Sequence, residues 1–262
     1  MPVVLTFLKE HVAANGPETL QRFFTWFHKK EKLAGIWFDK SDTNEIERGL
    51  MFSNADIHVA TAVLQWANEH LCTPNEKMRR AQAGPAEAVC PFVKPSLAAN
   101  SFYVDVRREI NGLGPGPIVE TMLEYREKLR AVPPFSAADQ ALKTIIIVFP
   151  EISAEAAPVL DVVHSQIKST FVHDGLMATQ CYPGCDMRSV RNPELRAYDS
   201  PYPLMAMRMM AIHDILFVGD CEEWFSAYSL RFGGRFRDAR TLKDYEQPLL
   251  EEFSRAKARF VK

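Results

Sequence analysis

The chain has 262 residues, 47% of them hydrophobic and 24% charged, the balance of an ordinary folded protein with room for one large domain or two small ones. A net charge of -2 leaves no basic excess to neutralise phosphates, which argues against a nucleic-acid binder. The apolar runs are too short to span a bilayer, and the N-terminus lacks the positive start of a signal peptide. Five cysteines make an uneven set for a secreted disulfide framework, so the expectation is a soluble cytoplasmic protein with reduced thiols.

Residues 1–80 read as a helical region packed on a core formed by residues 81–262, the two making one structural unit. Within 18–30, Leu20, Phe23, Phe24 and Phe27 fall at helical spacing, and 57–71 repeats the pattern through Val59, Val63, Leu64 and Trp66. Residues 78–87 are polar and carry Gly84-Pro85, which marks a connecting loop. The character then changes. Residues 101–110 alternate β-branched and aromatic residues as a strand does, and the Gly-Pro-rich stretch 112–117 is a turn ahead of a helix over 118–131. A short helix is read at 137–142. Residues 143–150 (KTIIIVFP) form the clearest buried strand, followed by a helix over 154–172. The stretch 181–203 is long for a loop in a compact domain and, with two tyrosines and three arginines after its cysteines, reads as a cover over a pocket beside His173. Residues 204–218 form an apolar run of either type, and 247–261 a final amphipathic helix. Strands alternating with helices give an α+β fold, a mixed sheet with flanking helices.

The run MAMRMMAIHDILFVGD (205–220) poses the sharpest question, because Arg208, His213 and Asp214 interrupt a stretch otherwise fit for burial. Buried charges are paired, metal-bound or part of a site. On a strand reading, His213 shares a face with Met207, Met209, Ala211, Ile215 and Phe217. An imidazole there is most often a satisfied core histidine, and it is also what a haem pocket presents. Arg208 and Asp214 take the opposite face, where they pair with each other or hold a ligand carboxylate. Cys90, in Val89-Cys90-Pro91-Phe92, reads as a small hydrophobe at a strand start or as a thiolate, nucleophilic or iron-ligating. His173, beside Gly175 at a helix end, suits an ordinary capping role as well as catalysis. The Cys181/Cys185 pair lacks the second ligand pair of a zinc site and reads as a surface loop pair. No nucleotide-binding or nucleophile-elbow motif occurs.

The blocks VCPFVKPSL (89–97), KTIIIVFP (143–150), FVHDGLM (171–177), RNP (191–193) and PYPLMAMRMMAIHDILF (201–217) resemble a bacterial domain family of unknown function, DUF6875, whose members sit in natural-product gene sets. The Cys-Pro entry, buried strand and late Arg-bearing apolar segment are more distantly similar to the YqcI/YcgG family, which includes haem-dependent N-hydroxylases of amino acids. That resemblance implies a haem-dependent monooxygenase of specialised metabolism, with b-type haem as cofactor and a small amino-acid-like substrate. His213 is then the axial iron ligand, with Cys90 as the alternative, and Arg208 holds a propionate or a substrate carboxylate. His173 and Asp214 are then the catalytic residues, and His173 and the 181–203 loop line the substrate side. A homodimer is compatible with this reading. Two other classes remain: a cofactor-free enzyme with Cys90 as nucleophile and His173 or His213 as base, and a non-catalytic partner in a biosynthetic complex.

Overall fold

The computed structural model describes residues 54–78, 86–99, 101–131, 140–238, 240, 242–243 and 246–260. The helical pattern at 18–30 and the first half of the short helix read at 137–142 lie outside them. The first described element is helix α1, Asn54–Trp66, which continues into the turn Ala67–Leu71. Strand β1, Pro74–Asn75, pairs antiparallel with β2, Glu87–Ala88, and a turn through Cys90 leads into α2, Val93–Ala98. Residues 89–93 therefore open a helix, not the strand read from the sequence.

A four-stranded mixed sheet forms the centre. It contains β3 (Phe102–Val106), β4 (Thr144–Val148), β5 (Leu176–Cys181) and β8 (Leu204–Met209), in the order β3-β4-β8-β5. β3 and β4 run parallel, and β8 lies antiparallel between β4 and β5. The protein is α+β. β4 is buried at every position, as its run of three isoleucines requires of a central strand. Helix α3, Gly116–Ala131, links β3 to β4 and starts with Pro117 in its first turn, where a missing N–H costs nothing. Helix α4, Val159–His173, links β4 to β5 and stops at Gly175, whose φ of 75° suits glycine. A Cβ there would lie 2.5 Å from Nε of Arg231.

The two faces of the sheet bury different partners. Tyr103, Ile145, Ile147, Met205 and Met207 meet Met122 and Leu129 of α3 and Leu160, Val163 and Ile167 of α4. Phe102, Val104, Ile146, Val148 and Leu204 meet Val59, Val63 and Ala67 from the α1 region. Each Val, Leu, Ile, Met or Phe among them contributes about 1.5–3 kcal/mol on burial. A third cluster joins α5 (Ile215–Val218), α6 (Glu222–Phe232) and α7 (Gln247–Phe260), where Leu249, Phe253 and Ala256 form the buried stripe of an amphipathic helix. No helix among the described residues is long and apolar enough to cross a membrane.

Two readings of the sequence change here. The run 204–218 is neither one strand nor one helix: β8 ends at Met209, a 3-10 turn spans Ile212–Asp214, and α5 follows. The stretch 181–203 is not an open loop. It holds an antiparallel hairpin, β6 (Arg188–Ser189) with β7 (Asn192–Arg196), and Cys181 and Cys185 are both buried, which corrects the surface reading. Trp66 Nε1 donates to the Asp199 carbonyl at 2.8 Å, and Arg191 reaches Glu87, so the stretch is fastened to α1 and β2.

Candidate functional site

β8 sets Arg208 beside Thr144 on one side and Met177 on the other, on the sheet face away from α3 and α4. Two residues on, the chain must leave the sheet, and Asp214 makes it turn. The Asp214 carboxylate accepts the Ala211 N–H at 2.7 Å and takes both terminal nitrogens of Arg208, at 2.8 and 2.6 Å. Asp214 is fully buried, and Arg208 also donates to the Met209 carbonyl at 3.0 Å. Burial works against the charged guanidinium, but the Asp214 carboxylate outweighs it and holds Arg208 above its ordinary range. The two charges in the apolar run are thus one ion pair. It turns a strand into a helix.

Phe92 covers that pair. Its ring centroid lies 3.9 Å from the Arg208 guanidinium carbon, a cation–π contact, and the His213 ring meets it edge-on at 5.8 Å. His213 therefore does not stand on a strand face with Met207 and Met209. It sits in the turn Ile212–Asp214, whose Ile212 carbonyl accepts the Tyr228 hydroxyl at 2.6 Å. Two residues before Phe92, Cys90 is half-buried against the cluster that holds Phe102, Val104 and Ile146. Its backbone N–H donates to the Leu71 carbonyl at 3.0 Å, while Arg191 from the hairpin donates to the carbonyls of Ala88 and Val89 at 3.0 and 3.2 Å. Arg208 and Cys90 are near enough to interact electrostatically. Tyr198, half-buried in the same corner, has its hydroxyl pushed up to about 12 by burial, with Cys181 and Cys90 adding to the rise and Arg208 opposing it.

Cys90, Arg208, His213 and Asp214 are thus brought together. His173 is not with them. It ends α4 half-exposed, with Nε2 2.7 Å from Glu223 of α6, and its carbonyl accepts Arg231. Three members of the corner were not singled out from the sequence: Phe92, Tyr198 and Cys72, the last a buried thiol beside Cys90. Phe92 carries a trace of a signal in the Cys-Pro-Phe string, whereas nothing local marks Tyr198 or Cys72. Among the described residues, no group of three or more His, Cys, Asp or Glu side chains is arranged to hold a metal ion.

A cleft of about 240 Å³ begins directly after the turn, lined by Ile215, Leu216, Asp220, Glu252, Arg255 and Arg259. Val190, at the tip of the 181–203 stretch, closes one side of it. That stretch does border a cleft, but none of His173, His213, Arg208 and Cys90 is among its lining residues. The rim pairs Arg255 with Glu252 at 3.1 Å and Arg259 with Asp220 at 2.9 Å.

No curated protein and no solved structure matches the chain. One family does, over residues 60–243, a span that contains the whole sheet and every residue of the Cys90–His213 corner. The chain belongs to that family, the domain of unknown function DUF6875.

Proposed function

We propose that the Cys90–His213 corner is the reactive centre of a haem-dependent oxygenase that acts on a small amino-acid-like substrate, nitrogen being the favoured atom, in bacterial natural-product biosynthesis. One observation carries the reading: two partly exposed donors able to ligate haem iron flank Phe92, the His213 imidazole edge-on to its ring and the Cys90 thiol two residues before it in the chain. The haem N-hydroxylase resemblance read from the Cys-Pro entry and the Arg-bearing apolar segment is part of this proposal. The donor set fits single axial ligation, with His213 first and Cys90 second. Bound haem would supply activation of dioxygen, and the other tasks belong to the chain. Asp214 fixes Arg208, Arg208 fixes the Phe92 ring, and that ring meets His213 edge-on. Because both terminal nitrogens of Arg208 are engaged by Asp214, a propionate or substrate carboxylate at Arg208 has to share it with Asp214. The cleft beyond His213 carries carboxylates and guanidiniums over an apolar floor, which suits a zwitterion.

Protein expressed with a haem precursor is expected to show a Soret band that shifts on reduction and on adding carbon monoxide. His213→Ala should abolish or strongly perturb the band, and Cys90→Ala should leave it nearly unchanged. The opposite pattern transfers the ligand role to Cys90. Folded protein that stays colourless despite haem supply overturns the oxygenase reading.

A second reading has its own observation. Cys90 is a partly exposed free thiol two residues before Phe92, whose ring lies 3.9 Å from the Arg208 guanidinium carbon. In a cofactor-free enzyme, Cys90 is the nucleophile and His213 the nearer of the two candidate bases. Colourless protein whose activity dies on thiol alkylation supports this reading.

A further inference from the structure

The segments that lead away from Cys72 and up to Cys90 run antiparallel, with Pro74 opposite Ala88 and Asn75 opposite Glu87. Cys72 caps the Ala67–Leu71 turn just before β1, and Cys90 follows β2 by two residues, so the ladder brings the two chain ends that carry them together. The Cys90 N–H donates to the carbonyl of Leu71 at 3.0 Å, which sets Cys90 against the residue directly before Cys72. Both side chains belong to the same apolar cluster under β3 and β4, and their sulfurs interact electrostatically. A disulfide needs Cα atoms roughly 4.4–6.8 Å apart, a span that residues one step from a shared backbone hydrogen bond can meet. Both thiols are free in the structure, and they differ in access: Cys90 is half-buried and Cys72 buried.

We infer that Cys72 and Cys90 form a redox-active pair that closes to a reversible disulfide when a peroxide reaches Cys90. The sulfur of Cys90 attacks one peroxide oxygen, the O–O bond breaks, and Cys90 becomes a sulfenic acid as one water leaves. The sulfur of Cys72 then attacks the Cys90 sulfur, the S–O bond breaks, the S–S bond forms and a second water leaves. Two electrons pass from the two thiols to the peroxide. A dithiol reductant reverses the change. The disulfide removes Cys90 from any ligand or nucleophile role and pulls the 90–92 turn toward the Ala67–Leu71 segment. Phe92, which covers the Arg208–Asp214 pair, rides on that turn. This pairing does not depend on whether the corner binds haem, since it needs only the two thiols.

The test is oxidation of the intact chain with a small excess of hydrogen peroxide near neutral pH, then alkylation of the remaining thiols and peptide mapping. Titratable thiols should fall from five to three, two being consumed, with a Cys72–Cys90 cross-linked peptide that dithiothreitol releases. Cys72→Ser should lose that peptide and accumulate sulfenic or sulfinic acid at Cys90, whereas Cys221→Ser should keep it. A cross-link from Cys90 to Cys181, over-oxidation of Cys90 without a cross-link in the parent chain, or five thiols still titratable would each overturn the inference. The mapping of the parent chain decides the matter even if a serine variant fails to fold.

Discussion

Asp214 has no exposed side-chain surface and accepts three hydrogen bonds, two from Arg208 and one from the Ala211 N–H. A buried pair of this kind is weak support for stability when compared with a well-packed apolar pair, but removing one partner strands a charge. Asp214→Ala should therefore destabilise the fold by about 3–5 kcal/mol in urea unfolding, because Arg208 keeps its charge and loses its counter-ion. The double variant Arg208→Met with Asp214→Leu should recover most of that loss. If the single variant costs no more than a surface substitution, the pair does not hold the turn. The same pair explains why His213 stands where it does, since the turn it occupies is closed by the Asp214 carboxylate.

The hairpin of β6 and β7 works as a clasp. Arg191 bonds Glu87 at 2.7 Å and the carbonyls of Ala88 and Val89, the last residues before Cys90. Bonds from a charged donor are worth about 1.5–3 kcal/mol, so Arg191→Ala should lower stability by up to that amount. The loss should be local. Amide exchange should rise at 87–92 and 188–196 while β4 keeps its protection, and unchanged exchange at 87–92 means that the clasp is not what positions Cys90. How far these elements are legible in the sequence follows from the range of the forces that make them. β4 and α3 are written in local pattern, TIIIV for a buried strand and a Pro-led amphipathic run for the helix. The 204–218 run is not, because a short apolar segment fits strand and helix alike, and the carboxylate that divides it acts through hydrogen bonds. The Arg208–Asp214 pairing is legible, since two opposite charges six residues apart in one apolar run have few other solutions. Phe92 over Arg208, and Cys72 beside Cys90, depend on chain paths that no local spacing records. The separation of His173 from the corner has the same origin: α6 docks on α4 and supplies Glu223.

Folding puts one carboxylate where it does not ionise readily, and that couples the stability of the whole molecule to pH. Asp105 stands near the end of β3 with Tyr125 of α3 donating its hydroxyl to it, and Tyr125 is fully buried. Burial raises the Asp105 pKa, and the Val106 N–H, Arg107 and Lys128 pull it back only in part, with Glu109 adding slightly to the rise. The folded state therefore holds the Asp105 proton more tightly than the unfolded chain, whose carboxyl titrates near its ordinary value of about 3.9. Between that value and the raised folded one, the folded state binds more protons, so stability falls as pH rises, and above the folded value the penalty stays constant. Asp105→Asn removes the ionisation, while its amide oxygen still accepts the Tyr125 hydroxyl. The difference in unfolding free energy between variant and parent should be flat below pH about 3.9, climb in favour of the variant through the window above it, and then level off. Urea unfolding at a series of pH values from acid to neutral measures it. A difference that stays flat across the series, or that climbs in favour of the parent, contradicts a raised Asp105 and implies that the neighbouring cations win over burial at the end of β3.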